Sequence, residues 1–341
     1  MRFSLISPTF KRPQEVQEFI QSLSELCYSR HLFEVILADG TPKDQLRPII
    51  ELESKKYDIP ITIVFEEYLP VSDARNAAAV IANGKYLIFL DSDCLLPKNY
   101  LEQVDVGLKL NKWDAFGGPD SASPEFSPLQ KAISFSMTSF WTTGGLRGGK
   151  LSTTQYYPRG FNMGVRKDIF DSLNGFDTRF KTGEDVEFSI RLVKANHKVG
   201  LIPEAIVYHK RRSDLFQFFK QVRRFGGARW SLSIRHKGQL KLTHMFPVFL
   251  ILSFILGSIN FFVEPSQIFD VFENKNMSLL VNFFFCFVVF YFFMPFLLAG
   301  IKYKSPWVGL LSLASTFVMM LGYAVGFLEA VFGGSVHRKR G

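Results

Sequence analysis

The chain has 341 residues, of which 47% are hydrophobic and 21% are charged, and its formal net charge is +9 at pH 7. This length allows one large domain or two moderate ones. The 3 cysteines are far apart, which argues against both a disulfide framework and a cysteine metal knuckle. The basic residues cluster at 210–237, just before the first long apolar run, so anionic membrane lipids are a better acidic partner than nucleic acid.

Short apolar runs alternate with amphipathic segments through the first 120 residues. The pattern predicts strands at 3–7, 33–38, 61–65, 86–90 and 115–118. It predicts helices at 11–27, 72–83 and 99–110. Strands that alternate with helices in this way indicate an α/β fold with a doubly wound, mostly parallel sheet.

The next segment, 119–157, is rich in Ser, Thr, Gly and Pro and predicts an irregular loop with an apolar patch at 133–141. After it, the pattern predicts a strand at 161–165, a helix at 167–173, a helix that begins at Gly183, and extended segments at 199–202 and 206–208.

Three apolar blocks close the chain, at 246–263, 277–301 and 307–332. Crossing the hydrocarbon core takes about 17 to 25 residues, so we expect three transmembrane helices in a multi-pass protein of the cell membrane. Residues 1–9 enter a strand without a signal-peptide pattern, so we expect the first domain to be cytoplasmic.

The topology of the third apolar block is left open by the charges. A cytoplasmic first domain puts the acidic loop 264–273 outside, as the positive-inside rule requires. A third full span would then put the basic tail, His337 to Arg340, outside as well, against the rule. Either one block is re-entrant or interfacial, or the short tail is an exception.

Two aspartates end the strand predicted at 86–90. Its residues are apolar or aromatic, and Asp91 and Asp93 follow with only Ser92 between them. Ligands of open α/β sheets bind beyond the carboxyl ends of the strands. Two neighbouring carboxylates repel each other unless a cation balances them, and a divalent metal on a nucleotide diphosphate would do so.

These aspartates belong to an ordered set of motifs that resembles the family-2 glycosyltransferases of the GT-A fold. The set comprises Asp39, Asp73-Ala74-Arg75-Asn76, Asp91-Ser92-Asp93 and Gly183-Glu184-Asp185. Segments 159–164, 174–177 and 203–209 also look like that family, and the likeness covers roughly residues 3–225. It implies a Rossmann-like GT-A catalytic domain at 1–225. The charge and apolar composition of the rest of the chain predict a basic juxtamembrane segment at 226–244, an α-helical membrane domain at 245–334 and a basic tail at 335–341.

The resemblance implies a nucleotide-sugar donor, with UDP favoured because it is the family's commonest donor nucleotide. The implied donor-binding residues are Pro8, Thr9, Asp39, Asp73, Arg75, Asp91 and Ser92. Asp39 would accept hydrogen bonds from the base; the alternative is a turn aspartate before Gly40. Arg75 would present its planar donor fork to the diphosphate; the alternative is a solvated helix residue.

The resemblance also implies a metal cofactor, Mg²⁺ or Mn²⁺, which would neutralise the departing diphosphate. Asp93 is expected to contact the metal directly, while Asp91 reaches the ribose or a metal-bound water. The alternative is that the two acids cap the next helix. His209 is either a further metal ligand or a structural histidine at a strand end.

The acidic pair after Gly183 supplies the candidate general base. An acceptor hydroxyl must lose its proton to attack, and the family uses the aspartate at the position of Asp185 for one-step, inverting transfer. Glu184 is the alternative base, since adjacent helix residues point about 100° apart and only one faces the acceptor. The structural alternative is that both acids favour a helix N-terminus.

The segment Gln221-Val222-Arg223-Arg224-Phe225 resembles the Gln-x-x-Arg-Trp element of polysaccharide synthases, with Phe225 in place of Trp. We expect Asn162, Gln221, Arg224 and Phe225 to contact the acceptor; a basic membrane-facing helix is an equal interpretation of 221–225.

Together the motifs predict a membrane-anchored, inverting glycosyltransferase that acts on a lipid-linked or growing saccharide in cell-surface polysaccharide biosynthesis. A polyprenyl-phosphate glycosyltransferase and a processive polysaccharide synthase are the enzymatic alternatives. A phosphate acceptor needs no general base, so the Glu184-Asp185 pair favours a hydroxyl acceptor. The alternative of another class is a non-catalytic membrane scaffold on a degenerate domain, against which the intact Asp91, Asp93 and Asp185 argue.

Overall fold

A computed structural model describes residues 1–144, 156–262 and 275–333, and the chain divides into two compact units. The first unit comprises Met1–Glu125 and Thr138–Lys210, and the second comprises Phe126–Met137 and Arg211–Gly341. The acidic loop 264–273 and the basic tail 335–341 lie outside the described residues.

The first unit contains all ten described strands. They are β1 (Phe3–Thr9), β2 (Phe33–Asp39), β3 (Ile61–Phe65), β4 (Tyr86–Leu90), β5 (Cys94–Leu95), β6 (Ala115–Gly117), β7 (Asp120–Ser121), β8 (Asn162–Arg166), β9 (Val199–Leu201) and β10 (Val207–His209). Its helices are α1 (Pro13–Ser24), α2 (Arg47–Lys56), α3 (Val71–Ile81), α4 (Tyr100–Asn111), α6 (Phe140–Thr143), α7 (Lys167–Ser172) and α8 (Glu184–Lys194).

Seven strands form the main sheet in the order β3-β2-β1-β4-β8-β6-β9. Strands β1 to β4 pair in parallel, β6 pairs in parallel with β9, and β8 runs antiparallel between β4 and β6. The predicted mostly parallel sheet is therefore confirmed. Strand β10 joins β5 and β7 in a second, three-stranded sheet that begins just beyond Asp93.

Helices cover both faces of the main sheet. Successive residues of β4 alternate between two apolar clusters: Tyr86, Ile88 and Leu90 pack with α1, α2 and α4, whereas Leu87 and Phe89 pack with α3, α7 and α8. Because both faces are buried, every residue of this strand is apolar or aromatic, as parallel sheets require.

The prediction that 119–157 is irregular is wrong for part of that segment. Helix α5 (Pro128–Thr138) lies there, and α6 follows it. Ala132, Ile133 and Ser136 are buried in α5, so their helical spacing carried more information than the Ser, Thr and Pro content around them. Residues 145–155 lie outside the described part of the chain.

The second unit is helical and combines most of α5 with α9 (Leu215–Arg235), α10 (Phe246–Phe262), α11 (Lys275–Tyr303) and α12 (Pro306–Phe332). Among the described residues, two stretches are long and apolar enough to cross a membrane, Leu279–Tyr303 and Pro306–Phe332. The first apolar block gives a shorter apolar helix, Phe246–Asn260.

Candidate active site

The carboxyl end of the parallel strands gathers most of the predicted donor-binding residues. Thr9 and Asp39 are register partners at the ends of β1 and β2, and Asp91 follows β4, the other neighbour of β1. Pro8 precedes Thr9 on the same strand and is half-buried. Neighbouring parallel strands end at one edge of a sheet, so Thr9 and Asp91 come together although they are 82 positions apart in the chain.

Asp39 is fully buried and bonded on one side only. Its Oδ1 atom accepts hydrogen bonds from the Thr9 hydroxyl at 2.9 Å, the Thr41 hydroxyl at 2.7 Å and the Thr41 amide at 3.1 Å. Its Oδ2 atom is buried and has no hydrogen-bond partner among the described residues. A buried acceptor without a partner is unfavourable, so this oxygen is suited to receive an N–H group.

Arg75, in the second turn of α3, joins the strand-end aspartates to the acidic pair of α8. Its guanidinium donates to Asp91 at 2.8 Å, to Glu184 at 2.7 Å and to the Gly160 carbonyl at 3.2 Å. Its side chain is 3% exposed. Burial opposes the charge, but the carboxylates of Asp91 and Glu184 outweigh it and raise the pKa of Arg75. Arg75 is therefore a buried, permanently charged bridge between the two acidic groups.

Glu184 and Asp185 open α8 after Gly183, whose φ of +87° suits glycine. Glu184 is buried against Arg75, and burial, together with the neighbouring Asp185 charge, raises its pKa. Asp185 is half-buried and accepts hydrogen bonds from the Gly160 amide at 2.8 Å and the Val186 amide at 2.7 Å. Of the two acids, Asp185 is the one that remains partly accessible.

Gly160 contacts both Asp185 and Arg75 through its backbone. Its amide donates to Asp185 while its carbonyl accepts from Arg75. A Cβ at this position would lie 2.8 Å from the Arg75 guanidinium nitrogens, so a larger residue would displace the bridge. The Arg159-Gly160-Phe161 motif thus needs its glycine for a close approach of backbone to side chain.

Asp93, Cys94 and His209 form a second cluster, with one ligand atom of each within 4.8 Å of the others. His209 pairs with Cys94 across β10 and β5, and its Nε2 atom lies 3.1 Å from Asp93 Oδ1. A carboxylate and an imidazole at this distance can share one divalent cation. The Cys94 thiol lies 3.7 Å from the Phe161 carbonyl, as a weak donor to it, and hard cations prefer the carboxylate of Asp93 to a thiol.

Arg12 also reaches this cluster, although the sequence analysis did not single it out. It precedes α1 with a φ of 82°, and its guanidinium donates to Asp93 Oδ2 at 3.0 Å. Left-handed backbone is uncommon at a non-glycine residue, and such residues cluster at functional sites. No local sequence pattern signals this backbone conformation, so only the structure shows the contact.

The remaining predicted residues have different surroundings. Asp73 and Ser92 are half-buried, in the first turn of α3 and between the two strand-end aspartates. Asn162 is fully buried: it accepts from the Tyr100 hydroxyl at 2.6 Å and donates to the Ala205 carbonyl at 2.7 Å. Both ends of its amide are therefore used within the protein, as expected of a residue that holds β8 in place.

The segment 221–225 belongs to α9 in the second unit. Arg224 is exposed there, while Gln221 and Phe225 are half-buried.

Comparison with known proteins identifies the family of the first unit. Residues 4–173 match the model of glycosyl transferase family 2. A dolichyl N-acetyl-alpha-D-glucosaminyl phosphate 3-beta-D-2,3-diacetamido-2,3-dideoxy-beta-D-glucuronosyltransferase of Methanococcus voltae is 26% identical over 275 residues, which cover 76% of this chain and 83% of that protein. The succinoglycan biosynthesis protein ExoA of Rhizobium meliloti is 25% identical over 223 residues, which cover 63% of this chain and 65% of that protein.

Among solved structures, the mannosyltransferase PcManGT from Pyrobaculum calidifontis, in complex with GDP-Man and Mn²⁺, has a similar fold. The TM-score is 0.58 at 14% identity, with 98% of this chain and 88% of that chain covered. At this identity the likeness concerns the fold, which is the predicted GT-A fold.

Proposed function

We propose that this chain, a glycosyltransferase whose residues 4–173 belong to glycosyl transferase family 2, transfers a sugar from a nucleotide-sugar to a hydroxyl group of a lipid-linked or growing saccharide at the membrane. One observation carries the proposal: Arg75 bonds to Asp91 at 2.8 Å and to Glu184 at 2.7 Å, so a strand-end donor motif and an acidic pair share one site.

The donor would bind at the carboxyl end of the sheet. The Asp39 Oδ2 atom is suited to accept an N–H group of the base, and Thr9 and Thr41 hold its other oxygen. A pyrimidine or purine base offers such a donor. UDP remains the favoured nucleotide, while the GDP-Man in the structure of similar fold supports a nucleotide-sugar without choosing the base. Binding of the nucleobase requires Asp39 to become accessible, because the Asp39 side chain is fully buried.

Asp93 and His209 would hold the divalent cation, Mg²⁺ or Mn²⁺, with Asp91 nearby. The donor set fits: the Asp93 Oδ1 and His209 Nε2 atoms are 3.1 Å apart, a carboxylate is a usual ligand of Mg²⁺ and Mn²⁺, and imidazole is a usual ligand of transition metals. When bound, the cation supplies positive charge that stabilises the leaving diphosphate. Arg75 adds a second cationic group, fixed in place by the two carboxylates and the Gly160 carbonyl.

Asp185 would act as the general base. Two backbone amides orient its carboxylate, and it is the more accessible acid of the pair. It would take the proton of the acceptor hydroxyl while that oxygen attacks the anomeric carbon from the side opposite the leaving diphosphate. Glu184 would act as a positioning residue, because its carboxylate is occupied by Arg75.

The acceptor class is supported by the relatives and by the apolar helices. The Methanococcus voltae relative is named for transfer to a dolichyl-phosphate-linked sugar, and the Rhizobium meliloti relative is named for succinoglycan biosynthesis. Helix α11 is long and apolar enough to keep an enzyme at the membrane where such acceptors lie.

The test uses purified protein in detergent with a panel of UDP-, GDP- and dTDP-sugars. The two measured quantities are the released nucleotide and the affinity for the donor. The variant Asp185→Asn keeps the shape of the side chain and should abolish transfer, by at least a hundredfold, while donor affinity changes less than threefold. The matched control is Asp168→Asn, which should transfer normally. The Asp168 side chain is 63% exposed and pairs with Arg166. Near-normal turnover by Asp185→Asn would refute the assignment of the base.

A further inference from the structure

Helix α12 has the apolar composition of a membrane span, but along most of its length it lacks the exposed apolar side chains of one. Among residues 311–331, all of which the structure describes, Glu329 is the one exposed residue; Leu310 and Phe332, which flank this stretch, are exposed. Helix α11 is different: ten of its large apolar side chains are exposed, with exposed fractions between 39% and 76%. A span that faces lipid must present apolar side chains to it, and α11 does so, whereas the apolar side chains at 311–331 of α12 are buried or half-buried.

Helix α9 covers the second half of α12 at backbone contact distance. A Cβ on Gly226 would overlap the Tyr323 carbonyl, and one on Gly326 would overlap the Arg223 carbonyl. Phe219 meets Gly322, Arg223 meets Gly326 and Gly227 meets Ala330. Because both helices advance by the same number of residues from one contact to the next, they run parallel and side by side.

The covering helix cannot enter hydrocarbon. Helix α9 carries five basic residues, Lys220, Arg223, Arg224, Arg229 and Arg235. Each Lys or Arg at the centre of a bilayer costs about 2.5–3.5 kcal/mol even on the scale with the smallest penalty. The Arg223 guanidinium also binds the Glu329 carboxylate at 2.6 and 2.8 Å, and both side chains are about half exposed. The part of α12 from Gly322 to Phe332 must therefore lie outside the hydrocarbon with α9.

The first half of α12 presents less apolar surface to its surroundings than α10 does. Leu252, Ile255 and Leu256 of α10 are 46–48% exposed, whereas no residue at 311–321 of α12 is exposed. This half packs on the apolar helices through Phe317, whose ring lies 5.7 Å from Phe254 and 5.4 Å from Phe292. On another side, Ser136 of α5 bonds to Ser315 at 2.7 Å and to Thr316 at 3.0 Å. The first half of α12, which contacts the apolar helices, is thus also partly covered by α5.

We infer that α12 does not cross the membrane: α10 and α11 form a membrane hairpin, and α9 with the second half of α12 forms a helix pair at the membrane surface. The end of α12 at Phe332 then lies on the same side of the membrane as the α11–α12 connection. This inference does not depend on the proposed reaction.

Single-cysteine labelling of the full chain in membranes tests the inference. The exposed Cys27 and Cys286 are replaced by serine, and the buried Cys94 is kept. A cysteine is then introduced by Ser266→Cys, between α10 and α11, by Lys304→Cys, between α11 and α12, or by Gly341→Cys, at the C-terminus. Intact and permeabilised cells are treated with a membrane-impermeant maleimide, and the parent with Cys94 alone sets the background.

We expect the cysteines at 304 and 341 to label from the same side of the membrane and the cysteine at 266 to label from the opposite side. Labelling of position 341 from the side that labels position 266 would mean that α12 is a third span and would overturn the inference. Labelling of position 341 from both sides would overturn it as well. Glycosyl transfer is not the readout, so failure of the proposed function leaves this result unaffected.

Discussion

The Arg75 guanidinium and the Glu184 carboxylate form a buried ion pair of 2.7 Å between residues that are 109 positions apart. Arg75 has Asp91 as a second carboxylate partner, so its one positive charge is shared between the donor motif and the acids that open α8. The pair therefore fixes the distance between the two halves of the proposed site.

Removal of Arg75 should destabilise the first unit more than removal of an arginine from a surface ion pair would. Arg75→Ala leaves the buried Glu184 without its cationic partner, and breaking a buried pair in this way costs about 3–5 kcal/mol. The double variant Arg75→Ala with Glu184→Gln should recover part of that loss, because no unpaired charge remains buried. The thermal unfolding midpoint in detergent measures both. Equal midpoints for the single and double variants would contradict the pairing.

The titration of Glu184 should contribute to the pH dependence of the free energy of unfolding. Its pKa is raised above the ordinary value of 4.5, so the folded state holds this proton more tightly than the unfolded chain does. The resulting stabilisation is fully present below the unfolded pKa and is lost as the pH rises through the folded pKa. Glu184→Gln removes this dependence, so the stability of the wild type relative to the variant should fall as the pH rises from 4 towards 7.

The matched control for this titration is Glu51→Gln, at an exposed position of α2. Its unfolding midpoint should follow that of the wild type across the same pH range. A wild-type advantage over Glu184→Gln that grows with rising pH would contradict the direction of the pKa shift.

Arg12 should compete with a cation for Asp93. Its guanidinium lies 3.0 Å from Asp93 Oδ2 and is 39% exposed, so the pair is worth about 1 kcal/mol or less. Arg12→Ala should therefore tighten Mn²⁺ binding in the absence of nucleotide by up to about fivefold. Titration calorimetry with Mn²⁺ alone measures this. The control is Arg30→Ala, which removes a cation that lies over the Phe33 ring. Weaker Mn²⁺ binding by Arg12→Ala would show that Arg12 supports the metal site instead of competing for it.

Gly175 should tolerate no side chain, for two separable reasons. It has a φ of +60°, and a Cβ there would lie 2.6 Å from the Asn76 Oδ1 atom. That oxygen accepts from the Phe176 amide at 2.9 Å, so alanine would strain the contact between α3 and the segment before α8. Gly144 has a φ of +62° but nothing within 4 Å, so Gly144→Ala reports the backbone cost alone.

Both alanine variants should lose about 1–2 kcal/mol from the left-handed backbone. Gly175→Ala should lose about 1–3 kcal/mol more from overpacking, and the unfolding midpoints measure the difference. Equal losses for the two variants would show that Asn76 moves aside at no cost.

The sequence by itself determined that the first unit has a mostly parallel sheet covered by helices and that two acids follow one of its buried strands. A strand buried on both faces needs an uninterrupted apolar run, so Tyr86 to Leu90 could be recognised from local composition, and the acids that follow it were visible at once. The apolar blocks near the C-terminus were equally visible, since apolar length is a property of consecutive residues.

Only the tertiary structure decided which groups meet. The contacts of Arg75 with Gly160 and Glu184 join residues 85 and 109 positions apart, and the left-handed backbone that brings Arg12 to Asp93 has no local signature. The same holds for α12: its composition alone fits a membrane span, but its packing against the charged α9 depends on where another helix lies. Local periodicity records which face of an element is apolar, whereas the partner of that face is set by the fold of the whole chain.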